Sequence, residues 1–476
     1  MTTRPLIPDV LADRYASTPM LNIWGPEAKI IAERRFWIAM MRSQSKLGLN
    51  IPAAAIADYE RVVEQVDVAS IRRREIRLRH DEMARIEEFN ELAGHQFIHR
   101  GMTSRDAGDN LEQSQIHRSM HLTASKTASV LYRLDRRAQE FKTLPMAGRS
   151  HNVTAQVITL GKRFSNVAED LSTGFQRLEE MLDNYPLRGL KGPTGTQQDM
   201  LDLLGSQEAV QEIETALMDH LGFDDVLTSV GQVYPRTLDL QVLAPLVSIA
   251  ASASSFAMTF RLMAGLELVT EGFKPGQVGS TAMPHKMNAR SCERICGFYH
   301  ILRGYLAMIE GPAGSQWNEG DVSCSVVRRV ALPGAFMAID GLLETWLTVL
   351  IELGAYPAVI NREMERYLPF LTTTTLLMAA TKAGAGREMA HAVIKEHAVG
   401  VALAMRQSGL SDNPLYERLA TDERFPLDLP TIEAVVGDPS KFVGRSVEQV
   451  DEMSGRIATL LLPYPDAPNY IPEEIL

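Results

Sequence analysis

Cysteine is scarce. The 476 residues hold three, Cys292, Cys296 and Cys324. An odd number with no evident pairing builds no disulfide framework and fits a reducing cytoplasm, where the protein is expected to reside. Cys292 and Cys296 lie one helical turn apart, but a zinc site needs two more soft ligands nearby and the sequence offers none. Buried structural thiols are the expectation, with no metal. Basic charge is also in deficit: 48 Lys and Arg against 59 Asp and Glu leave a net charge of −11. That balance argues against nucleic-acid and membrane-surface partners, though one pocket can still be locally positive for an anionic ligand. The first residues lack the apolar core of a signal peptide. Alternating strand patterns with Asn-Gly or Asp-Gly turns are scarce, and there is no internal repeat or low-complexity tail.

Formal charge is missing altogether from Leu240 to Phe260. Pro245, Gln241, Thr259 and four serines make that run too polar for a good membrane span. Its alanines and serines suit the buried centre of a bundle, where small residues let neighbours approach. Helical periodicity dominates the rest. Apolar residues recur at three and four over about 112–142, 155–183, 237–271, 288–310 and 325–354. The chain therefore reads as all-α with three helical domains, 1–110, 111–360 and 361–476, the middle one a bundle of long helices. Uncharged central helices in an acidic chain imply that bundles from several subunits pack together.

Several segments are too specific for plain connectors. Thr103 to Asp106 has the capping-box pattern, which starts a helix at about 105 and places Thr103 and Ser104 at an anion-attracting helix mouth. His151, in "GRSHNVTAQVITLGKR", is expected at a second helix mouth near Thr154, with a side chain suited to proton transfer near neutrality. Gln232 precedes the uncharged helix. Ser280, Thr281, Lys286 and Asn288 share one loop, "GSTAMPHKMNARSCER". "GPTGTQQ" lacks the Gly-Lys-Ser/Thr ending and preceding strand of a phosphate loop.

Together, "TSRDAGDN", "GRSHNVTAQVITLGKR" and "GSTAMPHKMNARSCER" resemble the three dispersed regions of the fumarase/aspartase superfamily. "DRYAS", "RHD", "GPTGTQ" and "QWNEGDVSCSVVRR" are similar to its branch acting on purine nucleotides. Thr281, Met287, Ala289 and Gly320 depart from the usual residues. The resemblance implies a homotetramer whose central bundles form a twenty-helix core, with each active site built by three subunits. It implies β-elimination of fumarate from adenylosuccinate, leaving AMP, and from SAICAR, leaving AICAR, with no cofactor. By matching positions, Ser280 is the base, His151 the acid, and Glu293 the carboxylate that orients His151. Lys286 and Asn288 would hold succinyl carboxylates, with Thr103 and Ser104 adding an anion site. Arg14, Tyr15, Arg294, Ser325 and Arg329 would take phosphate and ribose. Arg79, His80, Asp81 and Gln232 would orient the nucleotide, and His99 would stand near the phosphate end. The rival readings are a sister activity, such as argininosuccinate lyase, fumarase or a cycloisomerase, and a catalytically silent helical scaffold.

Overall fold

The computed structural model describes residues 7–272, 282, 283 and 285–475. It is built almost entirely of helices. The first six are α1 (Val10–Arg14), α2 (Thr18–Trp24), α3 (Pro26–Lys46), α4 (Ala53–Arg61), α5 (Val68–Leu78) and α6 (Asp81–Ala93). Next come α7 (Ser104–Glu140), α8 (Leu160–Asp183), the shorter α9 (Gln198–Leu204) and α10 (Gln207–Leu221), then α11 (Thr237–Gly265), α12 (Arg290–Ala313) and α13 (Cys324–Glu352). The last six are α14 (Pro357–Leu371), α15 (Thr373–Lys382), α16 (Arg387–Ser408), α17 (Leu415–Ala420), α18 (Leu429–Val436) and α19 (Ser446–Leu460).

The bundle is α7, α8, α11, α12 and α13, the five segments whose periodicity is longest. Their inner faces carry Leu131, Leu134, Phe175, Ile249, Phe256, Ile339 and Trp346, all at most 3% exposed. Each such side chain contributes roughly 1.5–3 kcal/mol on leaving water. Helices α11 and α13 are both long and apolar enough to cross a membrane, and 61% and 83% of their most apolar windows lie buried inside the protomer. The remaining apolar surface on the bundle is not covered: Met258 and Leu262 on α11, Ile301 and Met308 on α12, and Val326 and Val330 on α13 are exposed.

Helices α15 to α18 gather a separate core around Leu376, Ile394, Leu415 and Ile432. The chain then returns: Val450, Met453 and Ile457 of α19 join the main core.

Two short ribbons interrupt the helices. Strand β1 (Pro145–Ser150) pairs antiparallel with β2 (Val153–Thr159), and β3 (Val269–Thr270) with β4 (Gly354–Ala355). The first ribbon corrects the expected helix start near Thr154. Helix α8 begins at Leu160, capped by Thr159, whose hydroxyl accepts from the Lys162 amide at 3.1 Å. The run "VTAQVIT" carries four β-branched residues after Val153, so sheet propensity wins over a helical reading. His151 and Asn152 form the two-residue loop, with φ of 51° and 61°, the left-handed pair that a type I′ hairpin needs.

Candidate active site

The best-formed part of the site lies where α6, α7 and α13 meet. His80 caps α6, its Nδ1 accepting from the Met83 amide at 3.3 Å. Asp81 follows and accepts from Arg329 of α13 at 2.9 Å. Arg79, in the left-handed conformation, ends α5 beside them. Together with Arg72, Glu75 and Ile76 these residues line an open cleft of about 490 Å³. Burial pushes the Asp81 carboxyl up, but Arg85 and Arg329 outweigh it and leave the group below its ordinary value. The cleft therefore keeps a fixed anion between two guanidinium groups.

One turn before Arg329 on α13 is Ser325, whose Oγ accepts from Arg105 at 2.7 Å. Arg105 belongs to the first turn of α7, so this bond ties the Thr103–Ser104 helix mouth to the same face of α13. The capping pattern forms as expected, with the helix starting at Ser104: Asp106 accepts from the Thr103 amide at 2.7 Å. The same carboxylate accepts from Arg188 at 2.6 Å and from the Gly192 amide at 3.0 Å. A largely buried ionic lattice underlies the mouth. Asp109 takes Arg236 at 3.0 Å, and Arg328 reaches Asp239 at 2.7 Å and Glu112 at 2.6 Å. Pairing of this density holds the turn rigid, because breaking any one pair leaves a buried charge alone.

His99 sits behind the cleft with φ of 62°. Its ring meets Trp37 edge-on, and its Nδ1 stands 3.6 Å from Glu82. Burial depresses the imidazole below its usual value, so it is neutral. Gln232 is held by its backbone: its amide donates to the Glu319 carbonyl at 2.6 Å, and Gly231 lies so close to that residue that any Cβ there would collide. The loop preceding α11 and the "QWNEGD" loop are thus one unit.

A second group forms at the foot of α12. Arg14 and Arg294 lie 5.9 and 5.3 Å from the Tyr15 ring centroid, and Phe298 meets that ring edge-on at 5.2 Å. Burial lowers the Arg294 guanidinium somewhat from its usual value. The third group lines a 300 Å³ hollow with His285, Lys286, Asn288, Thr270 and Glu271. Here Glu271 caps α12, accepting from the Ser291 and Cys292 amides at 3.0 and 3.1 Å. The predicted base Ser280, and Thr281 beside it, lie outside the described residues. Of the cysteines, Cys292 and Cys324 are buried and Cys296 is only partly so.

Among the described residues, no hydrogen bond or ion pair joins His151 to the other candidates. It is exposed at the hairpin tip, and the hairpin is fastened to α14 through Arg149 and Glu363 and through Ala147 and Val157 against Met364 and Leu371. Glu293 pairs with Arg261 at 3.6 Å, and among the described residues no hydrogen bond joins it to His151 within one protomer. Sequence reasoning passed over Arg105, Asp109, Glu82 and Glu271. The i,i+4 spacing of Arg105 and Asp109 was a usable signal; Glu271 meets partners twenty residues away and left none. No group of three or more His, Cys, Asp or Glu side chains among the described residues could hold a metal ion.

Residues 23–301 match the family described as Lyase, and residues 369–453 match Adenylosuccinate lyase C-terminus. The chain is 35% identical over 448 residues to the adenylosuccinate lyase of Saccharomyces cerevisiae, covering 93% of this chain and 92% of the relative. It is 31% identical to that of Schistosoma mansoni, covering 93% and 92%. Among solved structures it is similar to 3-carboxy-cis,cis-muconate lactonizing enzyme from Pseudomonas putida, with TM-score 0.83, 18% identity and coverage of 95% and 99%. It also resembles fumarate lyase from Mesorhizobium sp. BNC1, with TM-score 0.79, 20% identity and coverage of 95% and 100%.

Proposed function

Because the chain belongs to the adenylosuccinate lyase family, we propose that it eliminates fumarate from adenylosuccinate, leaving AMP, and from SAICAR, leaving AICAR. The observation that carries this reading is the cleft at Asp81, lined by guanidinium groups, with the α7 helix mouth tied to the same face of α13 and a neutral imidazole behind it. Those groups suit an anionic, hydrogen-bonding ligand of nucleotide size. Relatives of at least 31% identity over most of the chain favour this branch over the cycloisomerase reading, whose structural neighbour shares 18% identity.

The chemistry divides into a proton leaving Cβ and a C–N bond breaking. Ser280 takes the Cβ proton. Negative charge then builds on the adjacent carboxylate, where Lys286 and Asn288 hold it. The C–N bond breaks, its electrons pass to the purine nitrogen, and His151 supplies the proton that nitrogen needs. The hydroxyl of Ser280 acts as a base only where closure removes water and donors stabilise its alkoxide, so the loop from 279 to 289 acts as a lid. Thr103 and Ser104 receive the second carboxylate. Arg14, Tyr15, Arg294, Ser325 and Arg329 bind phosphate and ribose, His99 stands near the phosphate end, and Arg79, His80, Asp81 and Gln232 orient the nucleotide.

Among the described residues no hydrogen bond joins His151 to Glu293 within one protomer, and the bundle carries bare apolar faces. The assembly we propose is a homotetramer in which those faces form a common core and three subunits complete each site, so that a neighbour's Glu293 meets His151. The division into domains 1–110, 111–360 and 361–476, and residence in a reducing cytoplasm, belong to the same proposal.

The test is an ultraviolet assay with adenylosuccinate, following AMP and fumarate. Wild-type protein should consume the substrate, and Ser280→Ala and His151→Ala should each lose at least about a thousandfold in kcat. Normal turnover in either folded variant would remove that residue from its role. Elimination from another succinyl compound, with none from adenylosuccinate, would move the chain to a sister branch.

A further inference from the structure

The centre of the bundle holds an unbalanced ionic cluster. Lys126 of α7, Asp340 and Glu344 of α13 are all fully buried. Lys126 pairs with Asp340 and stands 2.6 Å from Glu344. One ammonium facing two carboxylates leaves a buried negative surplus, which persists only if neutral donors converge on it. Those donors come from opposite ends of the chain. The Ser17 amide donates to Asp340 at 2.6 Å. The Tyr470 hydroxyl and the Glu473 amide, the latter at 2.7 Å, donate to Glu344. Arg133 adds a clamp, donating to the Pro468 carbonyl at 3.1 Å.

The two ends also meet directly. Ser17 is the N-cap residue of α2 but does not cap it, because its hydroxyl accepts from Lys126 at 2.8 Å. The cap is supplied by the Glu473 carboxylate, which accepts from the Thr18 amide at 2.9 Å and the Thr18 hydroxyl at 3.1 Å. A carboxylate there also complements the positive end of the helix. Two residues before Ser17, Tyr15 rests on Gly341, the neighbour of Asp340. A Cβ at Gly341 would come within 2.9 Å of the Tyr15 Cβ.

We infer that Tyr470–Glu473 is a strap that positions Arg14 and Tyr15, with Glu473 and Tyr470 acting as positioning residues for nucleotide binding. This rests on the reading that Arg14 and Tyr15 contact the nucleotide. The strap fixes the start of α2 at Thr18, next to Ser17, which Asp340 and Lys126 hold from the core side. The Tyr15 ring and the Arg14 guanidinium are thereby held beside Arg294 of α12 before the ligand arrives, which lowers the ordering cost of binding.

Steady-state kinetics on Glu473→Ala, Glu473→Gln, Tyr470→Phe and Arg14→Ala, beside calorimetric titration with AMP, test it. For Glu473→Ala the expected result is a rise in KM for adenylosuccinate and in Kd for AMP of about tenfold, with kcat within about twofold, since one charge-assisted cap is lost. Glu473→Gln keeps an acceptor for Thr18 and should recover most of the affinity. Tyr470→Phe should move in the same direction as Glu473→Ala by a smaller factor, and serves if Glu473→Ala fails to fold. A lower Tm with unchanged KM and AMP affinity in both Glu473→Ala and Tyr470→Phe would overturn the inference. Arg14→Ala separates the two readings. Unchanged KM in that variant removes Arg14 from the nucleotide site. A raised KM in Arg14→Ala with none in the strap variants removes the strap alone.

Discussion

Glu82 and Glu33 share one guanidinium. Arg85 gives its bonds to Glu33, one of them at 3.2 Å, while Glu82 is left facing His99 and Asp81, with Arg105 also nearby. Burial, reinforced by Glu33, pushes Glu82 up to about 9. The sign of the consequence follows from proton counting. Between about 4.5 and about 9 the folded chain holds a proton that the unfolded chain has released, so stability falls as pH rises through that window. Glu82→Gln keeps the shape and removes the titration. Its melting temperature should decline less than that of the wild type between about pH 6 and about pH 8.5, by several degrees. Parallel curves for the two proteins would show that Glu82 is ionised in the fold. The neutral state also matters to the cleft, because a buried anion behind His99 would favour its imidazolium form.

Among the elements, the β1–β2 hairpin has the most specific demand. Its loop needs two left-handed residues, and a β-branched side chain in that conformation costs roughly 1–2 kcal/mol. Asn152→Gly should leave turnover near normal. Asn152→Val should lower kcat by about tenfold or more by displacing His151, the proposed acid, with KM little changed. Steady-state kinetics with a melting curve as control decides it; equal kcat in the two variants would mean that loop geometry does not set the position of His151. This hairpin was also the least legible part of the sequence. The five bundle helices announced themselves through apolar periodicity, and the α7 start through Thr103 and Asp106. The hairpin carries His-Asn where the common type I′ turn has Asn-Gly, and its second strand merges without punctuation into a helical run, so the stretch from about Thr154 reads as helix. The candidate site residues were named by motif, but their grouping was not legible, because Arg105–Ser325 and Arg329–Asp81 join positions more than two hundred residues apart.

At the scale of the whole molecule, the proposed sharing of sites makes a quantitative claim. If His151 and Ser280 of one site come from different subunits, two inactive variants can complement each other. Denaturing and refolding an equal mixture of Ser280→Ala and His151→Ala should restore about a quarter of the sites, since each wild-type residue is drawn with even odds. No recovery from well-formed mixed oligomers would place both residues in one subunit. Helix α13 sets a different constraint. It meets Arg105 at Ser325, Asp81 at Arg329, Ser17 at Asp340, Tyr15 at Gly341 and Glu473 at Glu344. Each residue of an α-helix turns the next by about 100° and advances it about 1.5 Å. The helix is therefore a ruler with two sets of marks, and losing a single residue between Arg329 and Asp340 would swing one set a quarter-turn away from the other. Its side chains can vary at many points, but its count of residues cannot.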